Sequence, residues 1–178
     1  KRTTTASGAP PRPRRGGGSR NVLPATTHPR RRRSPVHPIT SDNLYTTLLE
    51  RLPEVLPYVE TAAARHDLRP ADVTHWEQLN THPGTLLSEV LAHPLFLPAL
   101  SEDRDHDLLT RTFAFVEALL DSPGGYLEDT AYYTFIEPCL KTRETLGRAM
   151  ALALPRTRGE LWKLAEAWNI APDPAWPR

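Results

Sequence analysis

The stretch DLLTRTFAFVEALLD, Asp107 to Asp121, decides how this chain is read. Leu109, Phe113, Val116 and Leu120 recur at spacings of four, three and four, and Leu108, Phe115 and Leu119 widen the stripe. That is the period of a helix burying one broad face. Pro123, Gly124 and Gly125 follow and predict a clean stop. The spacing therefore predicts a central helix around which the other segments pack.

Working outward, proline and capping residues cut the chain into short pieces of the same type. On the N-terminal side, Ser41 is the expected N-cap of a first helix, with Asp42 in its first turn and Leu44, Leu48, Leu49 and Leu52 on one face. Pro53 starts a second piece, in which Leu56, Val59, Ala62 and Ala63 are expected to continue the face. Pro70 and Pro83 open the next two, and Pro94 is expected to open a short one, PLFLPAL. Ser101 is the expected cap of the central helix.

On the C-terminal side, Pro123 is expected to open a helix with Leu127, Ala131, Tyr132, Phe135 and Ile136 as its stripe, ended or kinked by Pro138. Leu146, Met150 and Leu154 mark another from about Thr142. Pro155 opens the last, with Leu161, Leu164, Ala165 and Trp168 at helical spacing. The expected fold is all-α: an irregular array of about seven short helices over residues 40–170. Residues 1–39 are expected to form a disordered Arg/Pro/Gly-rich tail, and residues 171–178 to fray. No strict repeat period is present.

Charge divides the chain in the same way. Residues 1–38 hold ten of the 22 Lys and Arg and none of the 21 Asp and Glu, so the remainder carries a net charge of −9. An acidic body points to a basic protein partner, attracted at long range. The run Arg30, Arg31, Arg32 and Arg33 is the candidate nucleic-acid site, since adjacent guanidinium groups displace counterions from a phosphate backbone. No aromatic residue is interleaved there for base stacking. A plain linker, or a start site placed too early, accounts for the same composition. The single cysteine, Cys139, excludes an intrachain disulfide and fits a reducing, cytoplasmic setting. No apolar run reaches membrane-spanning length.

Chemistry-bearing motifs are weak. Asp72 and His75 stand three apart on one expected helix, and His66, His82 and His93 lie nearby, but no paired-histidine metal motif is formed. Asp103 to Asp107, DRDHD, imitates the opening of a calcium loop and then places Leu108 and Ala114 where glycine and glutamate are required. Glu117 and Glu137 sit inside apolar runs and are the candidate carboxylates, for acid–base work or for structural ion pairing with Arg143, Arg148, Arg156 or Arg158. The favoured reading is structural: Glu117 buried against an arginine. Cys139 has no local nucleophile context. No catalytic, cofactor or metal site is expected.

The order LLERLPEVLPYVE, FAFVEALLDSP, TFIEPCL and TLGRAMALALPRTRGELWKLAEAW, over about residues 44–169, resembles a group of small bacterial all-helical proteins. The residues that carry the likeness are Pro53, Glu54, Phe115, Glu117, Leu119, Phe135, Glu137, Leu146, Gly147, Trp162 and Trp168. The group has no established enzyme activity, and in size and acidity it is similar to immunity proteins that neutralise toxins. The resemblance implies a non-catalytic protein-binding module. The basic tail departs from that pattern, and nucleic-acid association or regulation through it is the alternative. An enzyme using Glu117 and Glu137 is a third reading.

Overall fold

Ile39 is fully buried, two residues before the first helical turn, so the core begins ahead of position 40. The cap that follows is Thr40 rather than Ser41: its backbone N–H donates to Asn43 Oδ1 at 2.8 Å. The computed structural model describes residues 38–65 and 83–177. Its helices are α1 (Leu44–Arg51), α2 (Leu56–Arg65), α3 (Pro83–Leu87), α4 (Leu97–Glu102), α5 (His106–Leu120), α6 (Tyr126–Ala131), α7 (Arg143–Leu152) and α8 (Pro155–Ala167). The described residues contain no strand, so the fold is all-α as the periodicity predicts. None of their helices is long and apolar enough to cross a membrane.

Helix α5 is the hub. Leu108, Leu109, Phe113, Phe115, Val116, Leu119 and Leu120 are all buried, and α1, α4, α6, α7 and α8 pack around them. Phe96 meets Phe113 and Phe135 edge-on, with ring centroids 5.4 and 5.5 Å apart, the arrangement aromatic quadrupoles favour. Gly124 and Gly125 turn the chain after α5 at φ of 91° and 77°, where a Cβ is strained. α6 therefore starts at Tyr126 rather than at Pro123.

Pro94 does not open a helix. Residues 83–102 run as one continuous helix, α3 into α4, and Ser88–Phe96 between them is wound as π-helix with Pro94 inside. Proline has no N–H to return, and its ring clashes with the turn before it in an α-helix. The wider π turn relieves that clash. A second continuous helix, 126–141, passes from α6 through a π segment, Tyr132–Ile136, to a 3₁₀ segment, Glu137–Lys141, that contains Pro138.

Three other expectations are corrected. Ser101 lies inside α4 and donates to the Pro98 carbonyl, and α5 is entered through Asp103 and Asp105, both at positive φ. Leu56, Leu154 and Trp168 are exposed: Leu56 is the first residue of α2 and falls off its buried face, Leu154 is the N-cap of α8, and Trp168 lies just past the end of α8. Residues 171–177 do not fray: Trp176 is 8% exposed and sits on α7 and α8. Composition predicted fraying, but a single indole with a prepared seat outweighs it.

Candidate binding groove

The helices 83–102 and 126–141 lie side by side and leave a groove of about 880 Å³ between them. Both π-wound segments contribute to its walls, Ser88, Glu89 and His93 from one and Tyr133 and Thr134 from the other. The opposite faces of the same helices supply Val90, Leu91, Phe96, Phe135 and Ile136 to the core. The groove is thus lined by what the core stripes leave over. Pro138 is in its wall and has no N–H to offer the preceding turn.

Glu89 and Asp129 line the groove, and neither is ion-paired with a described cation. Tyr133 is 68% exposed and stands edge-on to Tyr132 at 5.7 Å. His93, Leu97, Pro138 and Lys141 are shared with a second hollow of about 440 Å³, which continues past Ser101 and Thr145.

Several arginines elsewhere on the described surface are bonded within the molecule. Arg111 bonds Glu54, Asp107 and the Arg51 carbonyl, tying α5 to the first helices. Its guanidinium holds the Glu54 carboxyl below the usual range, and Glu54 raises the guanidinium in turn. Arg156 bridges Asp121 at 2.6 Å and Glu128 at 2.8 Å. Arg148 reaches the Leu100 and Ser101 carbonyls, and Arg158 those of Met150 and Ala153.

Glu117 has a structural role, though not the expected one. Its Oε1 accepts from the Arg156 backbone N–H at 3.0 Å. Its Oε2 accepts from the Thr157 N–H at 2.8 Å and the Thr157 hydroxyl at 2.6 Å. These are the first-turn donors of α8, whose own N-cap, Leu154, has no side-chain acceptor. So Glu117 caps α8 from α5, and its partner is the backbone of Arg156 rather than the guanidinium. A carboxylate at a helix N-terminus also meets the positive end of the macrodipole. Glu137 is not among Glu117's partners. It is half-buried, and its charge helps raise the Tyr132 phenol, which burial raises most and Glu160 next.

Cys139 is buried, its thiol donates to the Phe135 carbonyl at 3.0 Å, and burial pushes its pKa up to about 12. A thiol so held is not a thiolate at neutral pH. The Asp103–Asp107 run is a connection between helices: Arg104 pairs with Glu102 and Asp105, and His106 lies 3.7 Å from Asp103. Among the described residues no group of His, Cys, Asp and Glu is placed to hold a metal. Arg30 to Arg33, His66, Asp72, His75 and His82 lie outside the described residues. His93 is exposed at the groove.

Comparison with protein-family models, with curated proteins and with solved structures gives no match. The groove itself went unread in the sequence. The available signals were Pro94, Pro98 and Pro138 inside apolar runs, together with the YLEDTAYY stretch from Tyr126 to Tyr133.

Proposed function

We propose that this chain is a non-catalytic binding module whose groove takes a basic segment of a partner protein. The observation that carries the reading is the pair Glu89 and Asp129, unmatched by described cations, beside exposed Tyr133 in a groove walled by two π-wound segments. π turns are rare and are frequent at functional sites. Carboxylates beside an exposed phenol ring offer Lys or Arg both charge and a ring face. An acidic body speeds the approach of such a partner. Toxin neutralisation, with a basic toxin domain as partner, is the form that the resemblance to immunity proteins implies.

The test is an array of short peptides probed with the full chain. Peptides with Lys or Arg beside apolar residues are expected to retain it, and acidic peptides of equal length are not. The double variant Glu89→Lys with Asp129→Lys should lose that preference and keep its melting midpoint. Equal retention on basic and acidic peptides, or binding unchanged in the double variant, overturns the reading.

A further inference from the structure

A second recognition surface lies on α7 and α8, and the chain fills it itself. The Trp176 indole stands edge-on to Trp162, with centroids 5.7 Å apart and planes at 67°. The Arg143 guanidinium carbon is 5.9 Å from the centre of the Trp176 ring. Gly147 forms the floor: a Cβ there would come within 3.2 Å of Trp176 Nε1, tighter than an ordinary van der Waals contact. The neighbours of Trp176 are bonded as well. Asp173 Oδ2 accepts from Arg143 Nη2 at 3.2 Å, and Trp162 Nε1 donates to the Pro177 carbonyl at 3.2 Å. Asp173 Oδ1 accepts from the Ala175 N–H at 2.9 Å, and the Trp176 N–H donates to the Asp173 carbonyl at 3.0 Å. Those two bonds wind Asp173–Trp176 into a turn that presents the indole.

The segment is held at its far end. Ala171 and Pro172 are exposed, and hollows of about 260 and 410 Å³ lie between this link and the Trp162–Glu166 stretch of α8. The link thus passes beside α8 without filling the space next to it. The arrangement has the parts of peptide recognition: an aromatic anchor, a cation against its ring, an ion pair and a side-chain bond to the peptide backbone. Pro172, Pro174 and Pro177 restrict the free segment, which lowers the entropy cost of seating it.

We propose that the α7–α8 seat is a binding site for an acidic peptide bearing Trp and Pro, that Asp173–Pro177 is its intramolecular ligand, and that a free peptide of the same chemistry takes its place. This is independent of the groove and of what the groove binds.

The probe is a fluorescent peptide with the sequence of residues 171–177, titrated into full-length chain and followed by anisotropy. Trp176→Ala empties the seat and should bind it saturably. Wild type should bind at least about tenfold more weakly, because its own segment competes at high effective concentration. A peptide with Ala for its Trp should lose at least about tenfold in affinity. Adding Arg143→Ala to Trp176→Ala should weaken binding severalfold. Equal affinity for wild type and Trp176→Ala overturns the proposal. So does absence of binding at about 1 mM peptide to a Trp176→Ala chain of unchanged helicity. Should that variant lose its helicity, amide exchange in the wild-type chain decides instead. The Trp176 N–H should exchange at least about tenfold faster than the buried amides of α7 and α8, by opening of the segment alone. Exchange of that N–H only in step with the slowest amides overturns it.

Discussion

Helix α5 and the helix 83–102 bury similar apolar stripes and touch through Phe113 and Phe96, yet they are wound differently. α5 contains no proline and is α-helical over all 15 residues. The other carries Pro94 and Pro98 and is π-wound through Ser88–Phe96. On the core side the two do the same work. The difference lies on the far side, where α5 ties itself to α8 and to the first helices, and 83–102 lines a groove with Glu89 and His93. Regular winding serves the core, and irregular winding coincides with the groove.

The strongest way to test that contrast is at the contact between the two helices. Phe113→Ala removes a ring that is 1% exposed and should cost roughly 3–5 kcal/mol, the transfer term plus the cavity. Chemical denaturation reads it directly. A loss under about 1 kcal/mol would mean that the core closes over the gap, and that α5 is not the hub.

Next in size is the capping carboxylate. Glu117→Ala leaves the Arg156 and Thr157 donors without their acceptor and should cost roughly 1–3 kcal/mol. Glu117→Gln keeps one acceptor oxygen and should lose about 1 kcal/mol, as for a weakened N-cap. Amide exchange should quicken first at Arg156 and Thr157. Loss of stability without that local signature would assign Glu117 to packing and not to the start of α8.

A smaller effect is expected where Arg111 ties α5 to Glu54. The Glu54 carboxyl is depressed from its ordinary 4.5, first by its hydrogen bond from Arg111. A depressed carboxylate stabilises the fold above its unfolded pKa, and the benefit fades as pH falls through the lower, folded value. The pair is partly exposed, so its share is under about 1 kcal/mol. Wild type should lose its small advantage over Glu54→Gln on acidification below about pH 4.5. Parallel pH profiles for the two would remove the pair from the stability of α5.

The smallest effect belongs to the groove. Tyr133→Ala should change stability by less than about 0.5 kcal/mol, since the ring is mostly exposed. It should still weaken retention on basic peptides. A large fall in the melting midpoint would place Tyr133 in the packing of the fold, in the same role as the α5 stripe.

The chain's own order of residues determined the α5 stripe, the all-helical class, the start at Pro155, and the start of α7 at about Thr142, whose hydroxyl accepts from the Thr145 N–H at 3.1 Å. These are local properties. Periodicity, a missing N–H and a hydroxyl three residues from its donor act within a turn or two, so neighbouring letters suffice to reveal them. Only the tertiary structure decided the rest. Glu117 reads as a carboxylate in an apolar run, but its partners lie 39 and 40 residues further on. Pro94 reads as a start, but packing on α2 and α5 carries the helix through it. Trp176 reads as part of a fraying end, but Gly147, Arg143 and Trp162, 14 to 33 positions before it, make its seat. The groove likewise exists only where 83–102 and 126–141 meet. Which distant groups come together depends on how the helices pack, and the period of a helix shows which face is buried without naming what covers it.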